Sequence, residues 1–317
     1  MDGDQMQRRL ALPIIGLALL LLPIFANDYV LSLMVIGGIY AILCTGLNLF
    51  MGQTGQISFG HNAFAAFGCY GSAILTTDYG WPTLIALTIS ALLASLAAIV
   101  IGLPTLRLRG HYLAMATLAL GLIVYELAVQ MEWLTAGFLG ISGIPALGLG
   151  PWRLRGDVQY YYLVWLLVGL GLWVYLRIIH SRVGRALGAI AGDEAAARSL
   201  GINVSKYKLI AFVISAVYGS VAGSLLAHYV SYVSPEVIGL GMVTLIFTML
   251  FVGGIGTTTG PILGAVLISI LPSLLAGFQE FRQLVYGIIL LLVIMFAPRG
   301  LHSLGQLRQV FAGVWRS

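Results

Sequence analysis

Charge is what this sequence has least of. Asp, Glu, Lys and Arg together make 9% of its 317 residues, against 60% hydrophobic, and the mean hydropathy is +0.99. A soluble domain carries about 25% charged residues, so the composition excludes one and implies an integral membrane protein. The alternation of a membrane barrel is also missing, and the apolar runs have helix length. Cysteine is nearly absent. Cys44 and Cys69 both lie in apolar stretches, supply neither a disulfide framework nor a metal-ligand set, and read as small buried hydrophobes. His61, His111, His180, His228 and His302 are scattered without ligand spacing, so no metal site is assigned. HExxH, GxSxG and phosphate-binding loops are all missing, which disfavours an enzyme and assigns no catalytic residue. Any ATP that powers the chain is hydrolysed elsewhere.

Glycine, by contrast, is plentiful at 40 residues, as in a bundle whose helices approach closely through small residues. The fold class expected is all-α: a polytopic membrane bundle of about ten spans. The apolar runs are 10–26, 29–50, 81–103, 112–129, 160–179, 209–229, 237–252, 262–275 and 284–297, with one more span inside 51–77. The run 10–26 follows Arg8 and Arg9 like a signal peptide. Its length, Pro13 and the lack of a small-x-small exit read instead as a retained span. The whole chain, 1–317, forms one membrane domain: a first half at 10–176 with an outer loop at 132–159, a polar loop at 177–208, a second group of spans at 209–297 and a tail at 298–317. With both termini inside, 13 of the 16 Lys and Arg fall on inner segments, leaving Arg153, Arg155 and Arg282 outside. The formal charge of +5 thus reports topology, because the basic residues sit at segment ends and form no nucleic-acid patch.

Three polar stretches interrupt the apolar pattern. The first places Gly52, Gly55 and Gly60 among Gln53, Gln56, Ser58 and His61; the second places Gly253, Gly254, Gly256 and Gly260 around Thr257, Thr258 and Thr259. Polar backbone at membrane depth survives only where protein or a water-filled cavity satisfies it, so both are expected to be broken or re-entrant segments beside a translocation path. Each precedes a helix, a weak echo of internal duplication. The third is the loop 177–208, with six basic residues against Asp193 and Glu194. Within it the Ala-rich run 193–200, bracketed by Gly192 and Gly201 and acidic in its first turn, predicts a short capped cytoplasmic helix. The outer loop 132–159, rich in Gly and Pro, reads as a folded cap or docking surface. Glu126, near the outer end of its span, either snorkels to the interface or meets a basic group.

The stretches GLNLFMGQTGQISFGHNAF from Gly46, GRALGAIAGDEAAARSLGINVSKYKLIAFVISA from Gly184, GGIGTTTGPILGA from Gly253 and FAPRGL from Phe296 resemble the LivM family of ABC importer permeases for branched-chain amino acids. The resemblance runs over nearly the full length. It implies a permease subunit of an importer in the bacterial inner membrane. Its partners would be a second related permease, two cytoplasmic ATPase subunits that bind ATP and Mg, and an extracytoplasmic substrate-binding protein. This chain would hold no cofactor. Asp193, Glu194, Ala195, Ala196 and Gly201 would then form the element that enters an ATPase cleft. Gly201 stands seven residues after Glu194, where the broader coupling motif has six. Gln53, Gln56, Ser58, His61, Thr257, Thr258 and Thr259 could supply the few polar groups of a wide, apolar path. Urea or short-amide uptake by a similar architecture is the second reading, and an ion-coupled secondary transporter the third.

Overall fold

A computed structural model describes residues 22–23, 26–149, 152–154, 156–274 and 282–296. Most of the expected first span, the tail at 298–317, and Arg8, Arg9, Arg155, Arg299, Arg308 and Arg316 lie outside the described residues. The helices run α1 Asp28–Thr54, α2 His61–Thr77, α3 Thr83–Thr105, α4 His111–Gln130, α5 Glu132–Thr135, α6 Asp157–Ile179, α7 Arg182–Gly192, α8 Glu194–Ser199, α9 Val204–Val230, α10 Leu240–Gly253, α11 Gly260–Leu274 and α12 Arg282–Phe296. Among the described residues, six stretches are long and apolar enough to cross a bilayer: α1, α3, α4, α6, α9 and Pro235–Gly253, which adds a 3₁₀ turn to α10. Helices α2, α11 and α12 are shorter, at 17, 15 and 15 residues.

The longest helices, α1 and α9, have 27 residues each and form the centre. Each begins at an Asn whose side chain takes up an orphan amide: Asn27 accepts from Val30 N at 3.0 Å and Asn203 from Lys206 N at 3.1 Å. Gly55, at φ +69°, ends α1 in the left-handed turn that glycine adopts without steric cost. α1 therefore runs four residues beyond the apolar run that predicts it, through Gly52.

Helix α2 crosses α9 with backbone nearly touching backbone. A Cβ on Gly68 would collide with the Ser220 carbonyl, and one on Gly223 with the Ala65 carbonyl. The close approach lets weak partners reach: Cys69 Sγ donates to Gly223 O at 3.1 Å and Ser224 Oγ to Gly68 O at 3.0 Å. Both cysteines are free and buried. Around this centre, α3, α4, α6 and α12 turn Leu92, Met115, Leu166 and Met295 outward, each more than half exposed, the surface that lipid would cover.

At the end of the bundle reached by α2, α6 and α9, residues 131–149, 152–154 and 156 fold into the expected cap. Ile141–Ser142 (β1) pairs antiparallel with Tyr232–Val233 (β4), and Gly148–Leu149 (β2) with Trp152–Arg153 (β3). Tyr160 fastens it, accepting from Leu147 N and donating to His228 O, both at 2.9 Å. Tyr160 and its neighbour Tyr161 are buried, and Tyr162 is exposed. Glu126 is exposed and accepts from Gln130 Nε2 at 2.9 Å.

The α2–α9 crossing generates a prediction. Gly223→Val, which overpacks a backbone contact, should cost more than about 1–3 kcal/mol and abolish a monodisperse peak in detergent size exclusion. Gly188→Ala, with nothing within 4 Å of the added atom, should elute as the parent does.

Candidate functional site

The polar loop is a run of caps. Ser181 Oγ accepts from Val183 N at 3.1 Å and starts α7, which buries Gly184, Ala186, Leu187 and Ile190 against the bundle. At Asp193 the chain becomes extended, with φ −159° and ψ 117°, and its carboxylate accepts from Ala195 N at 2.7 Å and Ala196 N at 3.0 Å. The amides of Ala196 and Ala195 hold that carboxyl below its ordinary pKa. Six helical residues follow, then Gly201 at φ +80° turns the chain into α9. Ile190, Ala197 and Val204 make a small apolar core that seats α8 between α7 and α9. On the far side Ala195, Ala196, Ser199 and Gly201 are exposed, and Leu200 is 79% exposed.

Glu194 points the other way, into the bundle. Its Oε1 pairs with Lys208 Nζ on α9 and accepts from Gln56 Nε2 at 3.3 Å. Its Oε2 lies 3.3 Å from Arg109 Nε, in the α3–α4 connection, and 3.8 Å from Arg198 one turn on. The Glu194 side chain is 13% exposed and Lys208 1%. Leaving either charge alone at such depth costs about 3–5 kcal/mol. One carboxylate thus joins the short helix to α9, to the α3–α4 connection and to the segment after α1. Its partners Arg109 and Lys208 count in the sequence only as topological charges. The available signal was Lys208 itself, a cation at the head of the apolar run 209–229, which needs a counter-ion.

The two glycine-rich segments meet beside this cluster. A Cβ on Gly52 would stand 2.7 Å from Gly256 N, so the two backbones come into direct contact there. Asn48, fully buried and not singled out by the sequence pattern, bridges them: Nδ2 donates to Thr257 O at 2.8 Å and to Tyr175 Oη at 3.0 Å, and Oδ1 accepts from Gly256 N at 2.7 Å. Gln53 Nε2 donates to the same Tyr175 oxygen at 2.9 Å. Thr257 Oγ1 donates to Gly254 O at 2.7 Å and closes its own turn; Thr258 is half-buried, and Thr259 is exposed and accepts from Leu263 N at 3.1 Å. Gly253 and Gly260 face each other so closely that a Cβ on either would strike the other's carbonyl.

Ser58 and His61 lie elsewhere. Both are fully buried; His61 meets Ser58 Oγ at 3.2 Å and Ser215 Oγ at 2.9 Å, with Phe50, Phe64 and Phe212 around its ring. They brace the start of α2 on α9. Gly60 lies over Thr117 O, and Thr117 Oγ1 accepts from Phe59 N at 3.0 Å, so the break between α1 and α2 has its backbone satisfied by α4. At the opposite end, the cap borders an open cavity of about 450 Å³ lined by Thr76, Trp81, Thr83, Ser142 and Arg153 among others.

The geometry joins a braced, outward-facing short helix to two touching glycine segments, and comparison with known proteins gives that arrangement a family. A family model described as branched-chain amino acid transport system / permease component matches residues 29–295. The high-affinity branched-chain amino acid transport system permease protein LivM of Escherichia coli (strain K12) is 34% identical over 323 residues, spanning 95% of this chain and 76% of its own. LivM of Salmonella typhimurium is 33% identical with the same coverage. LivH of Escherichia coli, also a permease protein of that transport system, is 26% identical over 87% of this chain and 94% of its own. With a model matching most of its length and a relative one-third identical across 95% of it, the chain belongs to the family of branched-chain amino acid transport permease components.

Proposed function

We propose that this chain is the transmembrane permease subunit of an ATP-driven importer that moves leucine, isoleucine and valine across the bacterial inner membrane by alternating access. The observation that carries the reading is α8, a short helix capped at both ends, braced from behind by a buried carboxylate, and bare on its outer side. Such a knob delivers displacement to the bundle only if its base is rigid, and Glu194 with Lys208 supplies that rigidity. The bare face, with Ala195, Ala196, Leu200 and Gly201, fits the cleft of a soluble ATPase subunit that binds ATP and Mg.

Orientation follows from charge. Arg107, Arg109, Arg177, Arg182, Arg185, Arg198, Lys206 and Lys208 cluster at the α8 end, while Arg153 lies at the cap end. That bias supports a cytoplasmic α8 with both termini on the same side, and an outward cap available to a substrate-binding protein. Tilt or partial insertion of α2, α11 and α12, together with the run 10–26, would bring the six long stretches to about ten crossings. A second permease is expected alongside, since relatives named LivM and LivH both align with this chain.

Three outcomes test this reading. A reconstituted complex with both permeases, the ATPases and the binding protein should show saturable, ATP-dependent leucine uptake that isoleucine and valine block; inhibition by urea or acetamide alone would overturn the substrate. Glu194→Lys sets a further cation beside Lys208, Arg109 and Arg198 and should lower that uptake at least tenfold; uptake at the parental rate would contradict the coupling role. Leu200→Asp should leave the chain folded in the membrane yet weaken capture of the ATPase subunits about tenfold, equivalent to about 1.4 kcal/mol, as read by co-purification.

A further inference from the structure

We propose that Asn48 is the clasp of a gate at the α8 end, holding the 254–259 segment against α1, and that α8 acts on it through Gln56, Gln53 and Tyr175. The inference rests on the reading of α8 as the element that receives an ATPase.

Three observations carry it. Asn48 is fully buried, and it holds the second segment by backbone groups, Gly256 N and Thr257 O. A non-helical turn has few amide partners of its own, so removing the clasp strands a donor and an acceptor that the turn itself does not replace. Next, at the point of contact Gly52 comes against the Gly256 backbone, and the Asn48 amide supplies the hydrogen bonds that cross it. Last, the clasp is connected. Tyr175 Oη accepts from Asn48 and from Gln53, Gln53 stands in the last turn of α1, and three residues later Gln56 donates to Glu194. A shift of α8 that moves Glu194 pulls on Gln56 and the end of α1, the place where Asn48 and Gln53 share one hydroxyl.

Thr258→Cys, half-buried on the gated segment, reports opening by its rate of modification with a membrane-impermeant maleimide in inside-out vesicles; Cys44 and Cys69 are buried and give little background. Asn48→Asp keeps the acceptor for Gly256 N but loses both donors, and Tyr175→Phe removes the shared hydroxyl without opening a cavity. Each, in the assembled complex, should raise the Thr258→Cys modification rate several-fold and lower leucine moved per ATP hydrolysed. Gly188→Cys on α7 should react at the same rate in every background. Unchanged modification of Thr258→Cys in both variants, or an equal rise at Gly188→Cys that signals general loosening, would overturn the clasp. If the parental complex fails to take up leucine while the modification difference persists, the substrate reading falls and the clasp stands.

Discussion

A buried carboxylate without its cation is too costly to keep, and that constraint shapes the α8 end of this permease. Glu194 has Lys208, itself almost wholly enclosed, as its nearest partner. To meet it, α8 must lie close against α9, and the chain must break at Asp193 to let the carboxylate turn inward. Arg109 and Gln56 reach the same group from two other connections. Packing from Ile190, Ala197 and Val204 adds to that seat. The ion pair fixes where α8 lies, because leaving either charge unpaired at that depth is costly.

This arrangement gives a six-residue helix a firm seat on a large bundle. Isolated, a helix of that length would not persist. Capped by Asp193, turned out by Gly201 and tied at Glu194, it becomes a fixed projection of α9, one of the two central helices. The other central helix, α1, ends in the segment that supplies Gln56 and Gln53 and carries Asn48. A force on α8 thus arrives at the two helices that the rest of the bundle packs around.

Much of this was legible in the residues. Asp193 and Gly201 bound the short helix within one residue of where caps and turns predict it, because capping is local chemistry. The folded cap and the burial of Cys44 and Cys69 followed from composition and position. What lay beyond reach was long-range. Whether His61 faces water or another helix depends on Ser215, 154 positions away, and nothing near His61 encodes that meeting. Ser58 shares its fate. Asn48 hides within an apolar run as a single amide, its partners more than 120 residues distant. The inward turn of Glu194 depends on where Lys208 and Arg109 come to rest.

The most direct measurement is a double-mutant cycle on the thermal stability of the purified permease assembly, with Glu194→Gln, Lys208→Met and the pair together. If the buried pair seats α8, each single change strands a polar or charged partner and lowers Tm sharply, while the double variant recovers much of the loss, an interaction above about 1 kcal/mol. Strictly additive losses would mean that the two residues act independently, and the account of the α8 end would be wrong.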